Sequence, residues 1–307
     1  MESNALRAFW YKTQFPNADF PFPVELDYWD AAVKSLYKQG RGLEETIQYL
    51  YFSKPSYETF LAWIDANAPH FSSIPTTGTQ QQLTQNEIDF FKQNGYLVLK
   101  KVVDEATCAA ACSGIYQFIN AQPNDPQSWY LNVDGKNGLM LKFYDHPALD
   151  AIRKNAAIQH AYETLYGSKQ IYPSYDKAGF NPPEMANFHF LGSNLHWDVS
   201  LALPIPFQLQ GLVYLTDVSA TGGAFSCVPG FHLLLEQWLK EVPEGIHPRE
   251  YALSTLHPIP IPGNAGDMVI WHQALPHAAT PNFDATPRLV QYLTYLPENS
   301  IVADRWI

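Results

Sequence analysis

Two histidines and an aspartate in this sequence are spaced so that they could hold one metal ion. His196 and Asp198 are separated by a single residue in the segment LHWD. On a β-strand, residues i and i+2 point to the same face, so both side chains could reach one ion. Further along the chain, the segment DMVIWHQALPH offers two candidates for a third ligand, His272 and His277.

Two nitrogen ligands and one carboxylate on one face of a metal leave three coordination positions open. That arrangement is expected for oxygen-activating Fe(II), although the same ligand types also suit the zinc ion of a hydrolase. Arg288 lies eleven residues after His277, at the start of the apolar segment RLVQYLTYL. Its planar guanidinium suits a carboxylate, such as the distal end of 2-oxoglutarate, and would have no purpose in a zinc hydrolase.

Several segments together resemble the phytanoyl-CoA dioxygenase-like branch of the Fe(II)/2-oxoglutarate oxygenases. The resemblance runs from about Leu83 to Pro297, and the segments that carry it are, in order, LTQNEIDFFKQNGYLVLKKVVD, LKFYDHPAL, LHWD, TGGAFSCVPGFH and GDMVIWHQALPHAATPN followed by Arg288. It implies an α+β fold with a double-stranded β-helix (jelly-roll) core flanked by helices. It also implies that Fe(II), 2-oxoglutarate as co-substrate and O2 take part in the reaction.

The resemblance implies a role for six residues of this chain. The metal ligands correspond to His196, Asp198 and His277, and His277 is preferred to His272 because its spacing to Arg288 matches the family's. The arginine that holds the distal carboxylate of the co-substrate corresponds to Arg288. Two further residues match positions that touch the co-substrate in some members, namely Lys142 in LKFYD and Tyr214 in GLVYLTD.

Asp198 and the surrounding aromatic residues bear on the reaction and the substrate. Halogenating relatives have a small residue at the position of Asp198, so the resemblance implies hydroxylation or desaturation of a small organic molecule, with release of succinate and CO2. Aromatic side chains near the ligands favour an apolar or ring-bearing substrate of specialised metabolism. Two alternatives stay open: a protein or peptide hydroxylase, and a non-catalytic jelly-roll binding protein.

The elements that must position these residues follow from the apolar periodicity. Residues 1–70 are predicted to form a helical extension, which would be the docking element in a protein hydroxylase. Residues 71–82 are predicted to be a linker, because they are rich in Pro, Ser, Thr and Gln. Residues 83–307 are predicted to form the oxygenase domain. Thr84 and Glu87 predict a capping box at a helix start. Helices are expected over 104–120 and 147–166, and a strand over 96–102. From Asn187 onward, short apolar runs between turns predict the strands of a sandwich or barrel.

Charge and cysteine content exclude some partners. The formal net charge is −11, and no basic patch is present, so nucleic acid is not expected as a partner. No apolar run approaches the ~20 residues that cross a membrane, and the N-terminal segment has no apolar signal core. Three cysteines fit a reducing compartment. We therefore expect a cytoplasmic protein whose partner is a small-molecule substrate.

Overall fold

The computed structural model describes residues 2–25, 27–66 and 82–298. Its helices are α1 (Glu2–Gln14), α2 (Tyr28–Lys38), α3 (Leu43–Ser53), α4 (Tyr57–Ala66), α5 (Gln85–Asn94), α6 (Glu105–Phe118), α7 (Pro147–Arg153), α8 (Ala156–Tyr166), α9 (Leu235–Glu241) and α10 (Pro248–Thr255). Its strands are β1 (Tyr96–Leu99), β2 (Lys136–Asn137), β3 (Met140–Leu141), β4 (Ile171–Pro173), β5 (Ala178–Asn181), β6 (Leu209–Tyr214), β7 (Phe225–Cys227), β8 (Ile259–Ile261), β9 (Met268–His272), β10 (His277–Ala279), β11 (Arg288–Tyr292) and β12 (Tyr295–Pro297).

The first four helices pack around an apolar core of their own. Phe9, Leu36, Leu50 and Phe60 are fully buried there, one from each helix. Apolar residues at helical spacing on each helix produce this face, so the predicted N-terminal helices are confirmed. The predicted linker over 71–82 lies outside the described residues except for Gln82, and the domain boundary there stays a prediction.

The strands build an antiparallel core of two facing sheets. The larger sheet has seven strands in the order β1-β9-β6-β11-β5-β3-β2, and the smaller has three in the order β10-β7-β8. A separate pair joins β12 to β4. This is the predicted α+β architecture, with helices α5 to α8 contributing to the apolar core on the outer face of the larger sheet.

Alternation along β11 decides which side chains face the space between the sheets. Leu289 belongs to the core under the helices, whereas Val290 belongs to the core between the two sheets. Because side chains alternate along a strand, Arg288 shares the face of Val290. The strand pairs with β5 through Arg288 and Asn181 and with β6 through Val290 and Tyr214. Arg288 therefore enters the interior of the jelly roll.

Three sequence predictions about individual elements are wrong in detail. The segments ANFHFL and LHWDVSLAL are irregular, and each holds only an isolated bridge, Met185 to Phe188 and His196 to His277. The strand predicted over 96–102 ends at Leu99, since Lys101 adopts a positive φ of 51°. The helix predicted over 147–166 is two helices, because α7 ends with Lys154 as its C-cap and Asn155 caps the start of α8.

Asn155 is expected to contribute strongly to stability. Its Oδ1 accepts the N–H groups of Ala157 and Ile158 at 2.9 and 3.2 Å, and its Nδ2 donates to Val102 O at 2.8 Å. Asn155→Ala removes the cap and leaves buried backbone groups unpaired, so the free energy of unfolding should fall by about 3 kcal/mol. Asn155→Asp keeps the cap and should lose less. Urea unfolding measures both, and a loss of under about 1 kcal/mol for the alanine variant would contradict this account.

Candidate metal centre and its cavity

His196, Asp198 and His277 converge, and their potential ligand atoms all lie within 4.8 Å of one another. Asp198 stands between the two rings, with Oδ1 3.5 Å from Nε2 of His196 and Oδ2 3.3 Å from Nε2 of His277. His277 is buried on β10, whereas the side chain of Asp198 is about half exposed. Two nitrogens and a carboxylate therefore meet at one edge of the sheet interior.

The backbone pairs His196 directly with His277, although LHWD is not a regular strand. His196 N donates to His277 O at 3.0 Å, and His277 N donates to His196 O at 2.9 Å. Each ring also has Nδ1 next to a carbonyl, Asn194 O at 2.7 Å and Leu275 O at 3.1 Å. A carbonyl only accepts, so Nδ1 of each ring donates a hydrogen bond, and Nε2 of each ring faces Asp198, where it would bind a metal ion through its lone pair.

The Asp198 carboxylate is oriented by a chain of side chains that the sequence patterns did not reveal. Gln210 Nε2 donates to Asp198 Oδ2 at 2.8 Å, and Trp271 Nε1 donates to Gln210 Oε1 at 3.0 Å. Arg249 donates to the carbonyls on either side of Asp198, Trp197 O at 2.6 Å and Val199 O at 2.7 Å. Gln210 sits on β6, but Arg249 comes from α10, and no sequence spacing signals such a long-range contact.

Hydrogen bonds and burial oppose each other in setting the pKa values at this centre. Burial alone would raise the pKa of Asp198, but the hydrogen bonds and charges of His196 and His277 outweigh it and lower that pKa. Burial would likewise lower the pKa of His196, and Asp198 raises it instead. Asp198 is therefore held as a carboxylate, the form that binds a cation.

Arg288 is 1% exposed and lies on the wall of the same cavity as the three candidate ligands. Its Nε and Nη1 atoms have no hydrogen-bond partner among the described residues. Burying a guanidinium with unpaired N–H groups is costly, and such groups are almost always satisfied in folded proteins. A carboxylate in the cavity would accept charge-assisted hydrogen bonds from this guanidinium.

The cavity has a volume of about 1020 Å³ and runs past all four residues. Phe225 and Trp271 line it near His277, and part of its wall comes from α3 and the turn before it, including Glu44 and Gln48. The volume is at the upper end of the usual range for small-molecule sites, about 300–1,000 Å³. The N-terminal helices therefore contribute directly to the site.

Comparison with known proteins places this site in a family. The family described as phytanoyl-CoA dioxygenase (PhyH) matches residues 91–290, well over half of the 307-residue chain. The chain belongs to the phytanoyl-CoA dioxygenase family. It is therefore a non-haem Fe(II)- and 2-oxoglutarate-dependent dioxygenase with a candidate His-Asp-His ligand set.

Individual relatives of this dioxygenase are distant. A candidate phytanoyl-CoA dioxygenase of Dictyostelium discoideum is 20% identical over 279 residues, covering 72% of this chain and 78% of the relative. The ectoine dioxygenase of Bordetella bronchiseptica is 20% identical over 233 residues, covering 69% and 75%. The epimerase SnoN, solved with Fe3+, alpha ketoglutarate and nogalamycin RO, shares the fold at a TM-score of 0.50 with 19% identity, covering 69% of this chain and 83% of SnoN.

Two residues predicted to touch the co-substrate of the dioxygenase have other partners. Tyr214 donates its hydroxyl to Ile261 O at 2.8 Å and accepts the Phe225 N–H at 2.9 Å. Burial raises the pKa of Tyr214 to about 12 against the opposing charge of Arg288. Lys142 is exposed, and its Nζ donates to Gln48 Oε1 at 2.6 Å. Neither residue lines the cavity, so their role in co-substrate binding stays a prediction.

The other histidines of the dioxygenase that drew attention lie away from the ligand cluster. His272 accepts the Ala274 N–H on Nδ1 at 2.9 Å, and its ring stands 5.2 Å from that of His232. His232 has Nε2 3.1 Å from Lys92 O. His189 is largely exposed beside Glu184. The dioxygenase has no described helix long and apolar enough to cross a membrane.

His272 should make the dioxygenase less stable as the pH falls. Burial, reinforced by His232, lowers the pKa of His272 to about 4, whereas an unfolded histidine titrates near about 6.5. Between pH 7 and 5 the unfolded chain therefore gains a proton that the folded protein does not. His272→Asn keeps the acceptor for Ala274 without titrating, so its loss of stability over this range should be smaller by about 2 kcal/mol.

Chemical denaturation at pH 7 and pH 5 measures this difference. The exposed His257→Asn is the matched control, and its pH dependence should follow the unsubstituted protein. Equal slopes for His272→Asn and the unsubstituted protein would show that His272 titrates alike in both states.

Proposed function

We propose that His196, Asp198 and His277 hold Fe(II), that Arg288 binds the distal carboxylate of 2-oxoglutarate, and that the enzyme hydroxylates or desaturates a small organic molecule. 2-Oxoglutarate would leave as succinate and CO2. The observation that carries the proposal is a buried, unpaired Arg288 in the same cavity as a two-histidine, one-carboxylate cluster.

The donor set fits iron in type and in orientation. Imidazole nitrogens and a carboxylate suit Fe(II), and three ligands on one side leave positions for further ligands. Nε2 of each ring faces Asp198 and is available to a metal ion, because Nδ1 of each ring donates to a carbonyl. Gln210 fixes the carboxylate in turn. Such outer contacts orient metal ligands and are worth about 10- to 100-fold in metal affinity.

The presence of Arg288 favours 2-oxoglutarate, which carries a carboxylate, as the molecule that occupies this part of the cavity. The free N–H groups of the arginine match a carboxylate in charge and in hydrogen-bonding type, since one side only donates and the other only accepts. Iron with this co-substrate and O2 supplies the oxidation of an unreactive C–H bond. The chain's own contribution is positional: Arg288 fixes one end of the co-substrate, while Phe225 and Trp271 line the space beside the ligands with apolar surface.

The remaining alternatives have less support. A zinc hydrolase leaves the unpaired Arg288 without a function, and a non-catalytic binding protein leaves the His196, Asp198 and His277 cluster without one. A protein hydroxylase would need the N-terminal helices as an outward docking element, whereas Glu44 and Gln48 of α3 face the cavity. The small molecule bound in SnoN is consistent with a small-molecule substrate for this chain. Three free cysteines fit a cytoplasmic location, and the net charge of −11 argues against a nucleic-acid partner.

The third ligand is tested by comparing two histidines of the same segment. His277→Ala should weaken Fe(II) binding by about 100-fold or more, because it removes a direct ligand from a three-residue set. The His272→Asn variant should bind iron normally, because the ring of His272 contacts His232 and not the ligand cluster. Metal content after anaerobic loading and buffer exchange measures both. Iron loss in His272→Asn with retention in His277→Ala would reverse the assignment.

The role of Arg288 is tested by Arg288→Met, which keeps the volume of the side chain and removes its charge. The dissociation constant for 2-oxoglutarate should rise about 100-fold, the value of two hydrogen bonds to a charged group. Iron content should be unchanged, and the thermal midpoint should not fall, because a buried unpaired charge is removed.

Isothermal titration of the iron-loaded, anaerobic protein measures this constant. Lys142→Met in the same titration shows whether that lysine leaves Gln48 to contact the co-substrate. Normal 2-oxoglutarate affinity in Arg288→Met would remove the arginine from the co-substrate site.

A further inference from the structure

The cavity extends well beyond the space near Arg288. Arg288 and Tyr292 lie on the same face of β11 and both line the cavity, and four residues of strand span about 13 Å. Thr294, two residues further on, also lines it. The cavity therefore has one end at the arginine and a second end beyond Tyr292.

The second end is built around Asp176. The backbone segment before β5 is fixed against β11 by two hydrogen bonds, Tyr292 N to Lys177 O at 3.0 Å and Ser174 N to Thr294 O at 2.7 Å. Asp176 lies between these two bonds, so it lies beside residues 292–294 and lines the cavity there. Its position is thus fixed by the sheet at the end opposite Arg288.

The Asp176 carboxylate has little to neutralise it. Its Oδ1 accepts the Lys177 backbone N–H at 2.8 Å, and no described residue forms an ion pair with it. The two nearby cations are engaged elsewhere: Lys177 Nζ pairs with Glu44, and Arg153 pairs with Asp150 at 2.6 Å. Arg153 reaches only the backbone oxygen of Asp176, at 3.1 Å. Burial, with the charge of Asp198, raises the pKa of Asp176 more than Lys177 and Arg153 lower it.

A second polar group at this end is also without a partner. Tyr144 lines the cavity and is 8% exposed, and its hydroxyl has no hydrogen-bond partner in the part of the chain that the structure describes. Its ring is stacked on Tyr175, with centroids 6.2 Å apart and an interplanar angle of 14°. A buried hydroxyl left unpaired costs about 1–3 kcal/mol, which a bound ligand would recover.

We propose that Asp176 and Tyr144 form a subsite for a hydrogen-bond donor group of the substrate, a hydroxyl or a protonated amine, at the end of the cavity opposite Arg288. The proposal rests on the proposed function, since it takes the metal and Arg288 to occupy the rest of the cavity. An ionised carboxylate only accepts hydrogen bonds, so the matching ligand group must donate. The substrate would then be an apolar molecule with one polar end.

The N-terminal helices complete this subsite. A Cβ on Gly42 would lie 3.1 Å from Cε1 of Tyr144 and 3.3 Å from Tyr175 O, so a larger residue would require these neighbours to move by a few tenths of an ångström. Tyr37 of α2 lines the same end of the cavity. The Glu44–Lys177 ion pair and the Lys142–Gln48 hydrogen bond join α3 to the segments beside the subsite. The helical extension therefore takes part in substrate selection.

Matched sets of small molecules test the subsite. Each set carries one apolar skeleton (phenylbutyl, cyclohexylbutyl or naphthylbutyl) that ends in an amine, a hydroxyl or a methyl group. Titration calorimetry uses the full chain loaded anaerobically with Fe(II) and 2-oxoglutarate. The amine or hydroxyl member should bind about tenfold more tightly than the methyl member. Asp176→Asn should remove most of the preference for an amine, and Tyr144→Phe should reduce the preference for either polar group.

The controls separate this proposal from the proposed function. Asp65→Asn, on the exposed side of α4, should leave every preference unchanged. Iron content and 2-oxoglutarate affinity should be normal in Asp176→Asn, because Asp176 lies at the other end of the cavity from Arg288. Equal binding of the three members, binding of neither polar member at millimolar concentration, or preferences that survive both substitutions would overturn the subsite. Loss of iron in Asp176→Asn would instead place this carboxylate in the metal site.

Discussion

The reciprocal pair of backbone hydrogen bonds between His196 and His277 is the interaction on which the centre depends. It joins an irregular segment to β10 and sets two imidazoles side by side. The carbonyls of Asn194 and Leu275 then decide which nitrogen of each ring is free. Asp198 lies on the same segment as His196, two residues further on, and Gln210 and Arg249 hold it in place. A regular strand is not needed, because one bridge and a few side-chain bonds give the same convergence.

The candidate ligands and the buried position of Arg288 could be predicted from short segments of the sequence. The H-x-D spacing puts two donors near one point whether the segment is a strand or a bridge, and an arginine opening an apolar strand must face either solvent or an interior ligand. The helix breaks were harder to predict. The apolar periodicity continues across Asn155, and only its contacts with Val102 and the next helix show that a new helix begins there.

The parts of the cavity that sequence reasoning missed are those assembled over long distances. Gln210 is an ordinary polar residue on a strand, and Arg249 lies on a short helix with no motif around it. Asp176 and Tyr144 come together only because the β4–β5 segment, the chain before α7 and the start of α3 meet at one end of the sheet. No motif in residues 1–70 indicated a role in the site. A residue of the cavity wall such as Gly42 can be recognised only from its contacts in the folded protein.

The participation of α2 and α3 in the cavity wall separates two tasks along the chain. The residues proposed to bind the metal and the co-substrate lie between His196 and Arg288, whereas Gly42, Glu44 and Gln48 belong to a helical unit with its own apolar core. Substitutions in that unit can reshape the remote end of the cavity without disturbing the ligand geometry. A lineage of such enzymes could thus acquire new substrates by exchanging its N-terminal helices while the oxidative chemistry is inherited intact.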